Sequence, residues 1–268
     1  MLNFLNFARK PGALGAACLM VLVGWALPTY SQKMPHDKTP PAAGQKQDEP
    51  MDSGAMEEEE LAHPFFTHEG LPDEVGTFSL RTSALVMRID GATKGDFAFH
   101  LETGLTKRIG LHIRNDRFLN NTRTEAMFQF AAITSKNGKS GFAPIIEFEF
   151  PTRTGDGSRI NTLVGFTTKF SNERAAFNSV VHYNPREDMV ESSAAFVFKA
   201  GSRYYPVIEV LNEFARGESP ILTLVGGLKV RMSKSWLLGF AVQAPTTSRK
   251  DFSSQMVFQS ENMITRKR

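Results

Sequence analysis

From about residue 77 to residue 260 the chain alternates apolar and polar side chains in run after run, and its apolar positions are rich in phenylalanine. In one run Phe142, Ile146, Phe148 and Phe150 share a parity, with Glu147 and Glu149 on the other. In a later one Trp236, Leu238, Phe240 and Val242 oppose Gly239, Ala241 and Gln243. Successive side chains of a β-strand point to opposite faces, so each run is greasy on one side and wet on the other. Bounded by turn residues, the runs predict about twelve strands: 77–90, 96–105, 108–115, 124–134, 142–151, 160–170, 174–183, 189–199, 203–214, 221–232, 235–244 and 251–260. Each is about ten residues long, as a tilted strand needs to cross a bilayer. No window carries a convincing helical period.

The connections are hairpin-length and alternate between tight turns and longer loops, such as 116–123 and 152–159. An up-and-down meander of this kind must close to remove its edges. Closed with the apolar face inward, twelve strands would leave a wide interior to fill. Closed with that face outward, they require lipid. The expected fold is therefore all-β: an up-and-down antiparallel transmembrane β-barrel, with the short turns periplasmic. The opposite parity would then line the lumen with His100, Glu102, His112, Arg114, Glu147, Glu149, Lys169, His182, Glu209, Glu213, Lys229 and Arg231. The first strand departs from the pattern. Phe78, Leu80, Ala84 and Val86 share one parity, yet Leu85, Met87 and Ile89 occupy the other. Either a β-bulge near Thr82 or a contact with the upstream segment would account for this.

Composition adds a balance of 22 Phe against 4 Tyr and 2 Trp, and a formal charge of +3 that gives no reason to invoke nucleic acid. Arg9 and Lys10 precede an apolar stretch at 13–27, which predicts a signal peptide ending near Ser31 and hence export. The single cysteine, Cys18, falls inside it. The predicted organisation is a signal peptide (1–31), a disordered periplasmic tether (32–61), an aromatic and histidine-bearing plug-like segment (62–76), the barrel (77–260) and a polar tail (261–268).

The 62–76 segment carries the densest candidate chemistry. His63 and His68 flank Phe65 and Phe66, and imidazoles with the upstream methionines would suit copper or zinc. The simpler expectation is that Phe65 and Phe66 plug the periplasmic mouth. His100 and His112 fall on one side of adjacent strands near Glu102 and Arg114, as expected of a polar lumen network. Beyond the predicted signal peptide there is no thiol, and no nucleophile elbow, zinc-protease motif or phosphate loop suggests an enzyme. Gly104, Gly110 and Gly239 read as strand glycines at points of curvature.

The stretch from Gly227 through Trp236 to Pro245 has a glycine-bearing strand, a two-residue turn and an apolar strand ending Gln243-Ala244-Pro245. With Glu209 to Glu213 before it, this resembles the terminal hairpins of bacterial outer-membrane channels grouped as phenol-degradation (MetA-pathway) transport proteins. Those usually finish on an aromatic residue, whereas here Phe258 is followed by polar residues. The resemblance covers about the last sixty residues. It implies a passive channel or transporter in the outer membrane, with outer-membrane lipid, the barrel-assembly machinery and a small-molecule solute as partners. The alternative is a periplasmic or outer-membrane copper-binding β-protein without channel activity.

Overall fold

The computed structural model describes residues 61–89, 92–116, 118–119, 123–151, 160–246 and 254–265. The expected signal peptide and residues 32–60 of the tether lie outside these described residues. Thirteen strands follow in order: β1 (Thr77–Ile89), β2 (Ala92–Thr106), β3 (Ile109–Asn115), β4 (Arg123–Phe130), β5 (Ile133–Thr134), β6 (Ser140–Pro151), β7 (Asn161–Ser171), β8 (Ala175–Asn184), β9 (Met189–Phe198), β10 (Tyr204–Ala215), β11 (Ile221–Ser233), β12 (Trp236–Pro245) and β13 (Gln255–Thr265). Sequence neighbours pair antiparallel throughout, except β4 with β5. β4 also pairs with β6 and β1 with β13, which closes a ring of twelve strands and leaves no edge.

Three sequence expectations shift. The predicted strand 124–134 is broken at Ala131 and Ala132, and the short β5 resumes pairing with β6 one residue out of register. The last strand starts later and runs to Thr265, so residues 261–265 of the predicted polar tail belong to the barrel wall. Their polarity has a structural cause. Glu261 is buried in the lumen, while the outward Ser260 accepts a hydrogen bond from the Trp236 indole at 3.0 Å. Residues 266–268 lie outside the described residues. Finally, β1 pairs with β2 and β13 without any register shift, so no bulge explains its mixed parity. Leu85 and Met87 face inward and pack in a cluster that includes Ala62 and Phe65 of the upstream segment.

The wall is inside out relative to a soluble protein. Phe97, Phe130, Phe150, Phe198, Leu238, Phe240 and Phe258 are exposed on the outer face. Outward rings also cover one another across strands: Phe177 lies 4.7 Å from Phe196 and 6.4 Å from Phe170, centroid to centroid. The inner face buries Arg81, Lys229, Glu102, Glu147 and Glu209 almost completely. The turns at 107–108, 172–174 and 234–235, and the longer link at 131–139, lie on one rim; the strand ends on either side of 90–91, 116–122, 152–160, 185–188 and 246–254 lie on the other.

Candidate functional site

Residues 61–76 form no strand with the wall, only a single parallel bridge between Val75 and Gly104. Two prolines, Pro64 and Pro72, and two glycines, Gly70 and Gly76, keep the segment irregular. An irregular chain inside a barrel must find partners for its backbone donors and acceptors among wall side chains. Read backward from Glu74 to His63, the segment makes a circuit of the inner wall. The Asp73 and Glu74 carbonyls press on Gly104 of β2, Pro72 on Gly110 of β3 and Leu71 on Gly141 of β6. Thr167 of β7 donates to the Gly70 carbonyl at 2.8 Å, and the Gly70 N–H reaches Asn178 of β8 at 3.0 Å.

Glu209 of β10 receives the next stretch. Its carboxylate accepts from the backbone N–H groups of Phe65, Phe66 (3.1 Å) and Thr67 (2.8 Å), and from the Thr67 hydroxyl at 2.9 Å. The carbonyls meet donors instead. Pro64 O accepts from Arg81 at 2.7 Å and Lys229 at 3.2 Å, Phe65 O from Gln259 at 3.3 Å, and Glu69 O from Gln129 at 2.9 Å. Anionic wall groups thus meet N–H and cationic or amide groups meet C=O, the charge-assisted pairing that makes such contacts strong.

The Phe65 ring sits against Gly227 of β11 and Gly239 of β12, with the Lys229 ammonium 4.8 Å from its centroid. A Cβ added at Gly227 or Gly239 would stand 2.6 or 2.8 Å from that ring. Gly104, Gly110 and Gly239 therefore mark the track of the segment, in addition to any role in curvature. Gly239→Val is expected to unseat Phe65 without disturbing the outer face. Overpacking of about 1–3 kcal/mol corresponds to roughly tenfold or more in exposure of the segment. Chymotryptic cleavage at Phe65 and Phe66, followed against time, checks this. An unchanged rate would count against the seat.

His63 and His68, the candidate metal ligands of the sequence, join different groups of side chains. His63 Nδ1 lies 2.6 Å from Glu261, and Nε2 lies 3.6 Å from Glu102 and 3.8 Å from Asp73. Burial opposes its charge, but Glu261 and Asp73 outweigh burial and hold its pKa well above the ordinary imidazole value. Lys229 pairs with the other oxygen of Glu261 at 2.6 Å, and Arg81 pairs with Glu102. His68 instead meets wall histidines, its ring centroid 4.9 Å from His100, 5.4 Å from His112 and 5.8 Å from His182. Burial, then Arg114 and these imidazoles, push its pKa well down, so it is neutral.

The remaining expected lumen residues all sit on the inner parity and serve distinct contacts. Lys169 pairs with Glu69, Arg114 with Glu125 at 2.6 Å, Glu149 with Arg123 at 2.5 Å, and Arg231 with the Tyr205 hydroxyl at 2.9 Å. Glu147 faces His182 at 3.3 Å. Glu213, with Phe66, His68, His182 and Glu191, borders a vestibule of about 290 Å³. Its walls are the strand halves nearest the longer loops. Two groups central to the site, Arg81 and Glu261, escape the sequence pattern. Arg81 shares its parity with the misleading Leu85 and Met87, and Glu261 lies beyond the predicted strand end. Continued alternation through Val257, Gln259, Glu261 and Met263 was the available signal for the latter.

No protein-family model matches the chain, and no curated protein matches its sequence. Solved structures do. The chain is similar to the KdgM porin (11% identity, TM-score 0.52, 69% of this chain and 98% of that one). It is similar to an outer-membrane channel from Pseudomonas putida F1 (7%, 0.53, 73% and 98%) and to the NanC porin (7%, 0.52, 70% and 99%). The fold is that of outer-membrane channels. At such identities the likeness extends to the fold alone.

Proposed function

We propose that the chain is an outer-membrane channel for small solutes, held closed at rest by residues 61–76 as a lumenal plug. The observation that carries it is the circuit of that segment around the inner wall, with its backbone received by Glu209, Arg81, Lys229, Gln259, Gln129 and Thr167. An apolar outer belt requires lipid, and the short-turn rim, where the plug joins β1, would face the periplasm. Export by the N-terminal signal and insertion by the barrel-assembly machinery follow from that location. The protein acts by passage, with no catalytic step.

The vestibule sets Phe66, Met87, Leu211 and Ile221 beside Arg114, Glu191 and Asn212, a mixed lining suited to a small amphipathic solute. The likeness of 209–245 to phenol-degradation transport proteins favours the same class. The KdgM porin has been solved with oligogalacturonate, so the fold also admits anionic saccharides in a relative. In planar bilayers and loaded liposomes the wild-type chain should be mostly closed. Replacing Phe65 and Phe66 with Ala should raise solute leakage by about tenfold or more, since it removes the ring contacts holding the plug, while heat-modifiable gel migration persists. Equal leakage in variant and wild type would remove the plug, and recovery from the soluble periplasm without detergent would remove the channel.

A further inference from the structure

We propose that His68, His182 and Glu147 form a site for one divalent transition-metal ion of the zinc class, and that the bound ion clasps the plug to the barrel wall. The second half rests on the plug assignment above, because His68 belongs to the plug while Glu147 and His182 belong to β6 and β8.

The three side chains are 2%, 3% and 1% exposed in the order His68, His182, Glu147. Among the described residues, neither ring nitrogen of His68 or His182 nor Oε2 of Glu147 makes a well-formed hydrogen bond, although His182 Nδ1 and Glu147 Oε2 face each other. A buried polar atom without a partner costs about 1–3 kcal/mol, and an ion that took one nitrogen from each imidazole and Oε2 of Glu147 would satisfy three of the five. One ligand atom from each residue lies within 4.8 Å of the others, and His182 Nδ1 is already 3.3 Å from Glu147 Oε2. Zinc bonds of about 2.0–2.2 Å need donors roughly 3.3 Å apart, a closure that small side-chain rotations supply.

Two imidazoles and one carboxylate are a recurrent zinc donor set that leaves a coordination position for water, whereas Mg²⁺ and Ca²⁺ prefer oxygen shells. His68 and His182 border the vestibule, which gives an ion its path. Arg114 borders it too, paired with Glu125 at 2.6 Å and Asp116 at 3.4 Å. The neighbouring set of His68, His100, Glu102 and His112 is less available. Arg81 contacts His100 Nδ1 at 2.6 Å and also holds Glu102, and Gln129 engages His112 at 3.3 Å.

The test is calorimetric titration of the detergent-solubilised full chain with Zn²⁺, with Co²⁺ absorption as a second readout. One ion per chain is expected, insensitive to Mg²⁺. His182→Asn and Glu147→Gln should each weaken binding by about tenfold or more. His68→Asn, which lies outside every strand, should do the same in a barrel whose folding it does not touch. Zn²⁺ should also slow chymotryptic cleavage at Phe65 and Phe66 in the wild type but not in His182→Asn. Absence of stoichiometric binding, or unchanged affinity in all three variants, overturns the site. Binding without protection of Phe65 and Phe66 overturns the clasp. The Phe65/Phe66 leakage measurement separates the two assignments: a failed site beside a leaky alanine variant leaves the plug standing, and a silent alanine variant removes the plug on its own account.

Discussion

Glu209→Ala should convert a mostly closed channel into a mostly open one. In the wild type one carboxylate accepts from the N–H groups of Phe65, Phe66 and Thr67 and from the Thr67 hydroxyl, and Glu209 is fully buried. Truncation leaves three N–H groups without that acceptor, those of Phe65 and Thr67 buried and that of Phe66 partly so. At about 1–3 kcal/mol each, the docked plug loses at least about 3 kcal/mol relative to the released one, more than a hundredfold in the open-to-closed ratio. The barrel should survive, because Glu209 points into the lumen and the outer face of β10 is unaltered. Glu209→Gln keeps one acceptor oxygen and should open less. Single-channel recording in planar bilayers gives the open probability directly. An alanine variant that is folded by heat-modifiable migration yet gates like the wild type would show that the carboxylate does not hold the plug.

Alkalinisation should open the wild-type channel, and His63→Ala should abolish that response. Docking places His63 among Glu261 of β13, Glu102 of β2, and Asp73 and Glu69 of its own segment. Glu261 is also paired with Lys229 of β11, and Glu102 with Arg81 of β1. The pKa of His63 is therefore raised in the docked state above the ordinary value of about 6.5 that it has when the segment is free. A raised docked-state pKa means that the plug binds a proton as it docks. The stabilisation is complete below the free-state pKa and is lost as pH rises through the docked one. Leakage measured from pH 6 upward should climb towards alkaline pH in the wild type. In His63→Ala it should be higher at the start and flat. Leakage that instead fell with rising pH would refute the assignment.

The barrel was legible in the chain because its determinants are local. Phe148 beside Glu147, or Leu238 beside Gly239, declares two faces within a few residues, and a period of two admits only a strand. The same locality explains the misreadings. Ala131 and Ala132 are small and apolar and fit either face, so local alternation carries β4 across its break. The apolar parity of β13 is diluted by Ser260 and Asn262, which lie next to Trp236 at the short-turn rim, so local alternation ends the strand early. Phe65 and Phe66 stood out as plug candidates from their position just before the first strand, but nothing in the sequence named their receivers.

Those receivers are contacts between residues far apart in the chain. His63 meets Glu261 across 198 positions, and Phe65 meets Glu209 across 144. By itself the sequence determined the strand periodicity, the outward apolar belt and the inward charges, since each depends on the residue and its immediate neighbours. Only the tertiary structure decided that Arg81 and Glu261 are central, that His63 and His68 part company, and that Gly227 and Gly239 are flat for the sake of a ring. Closing the sheet fixes which strands face each other across the lumen, and until it closes no local pattern can say which carboxylate an upstream N–H will find.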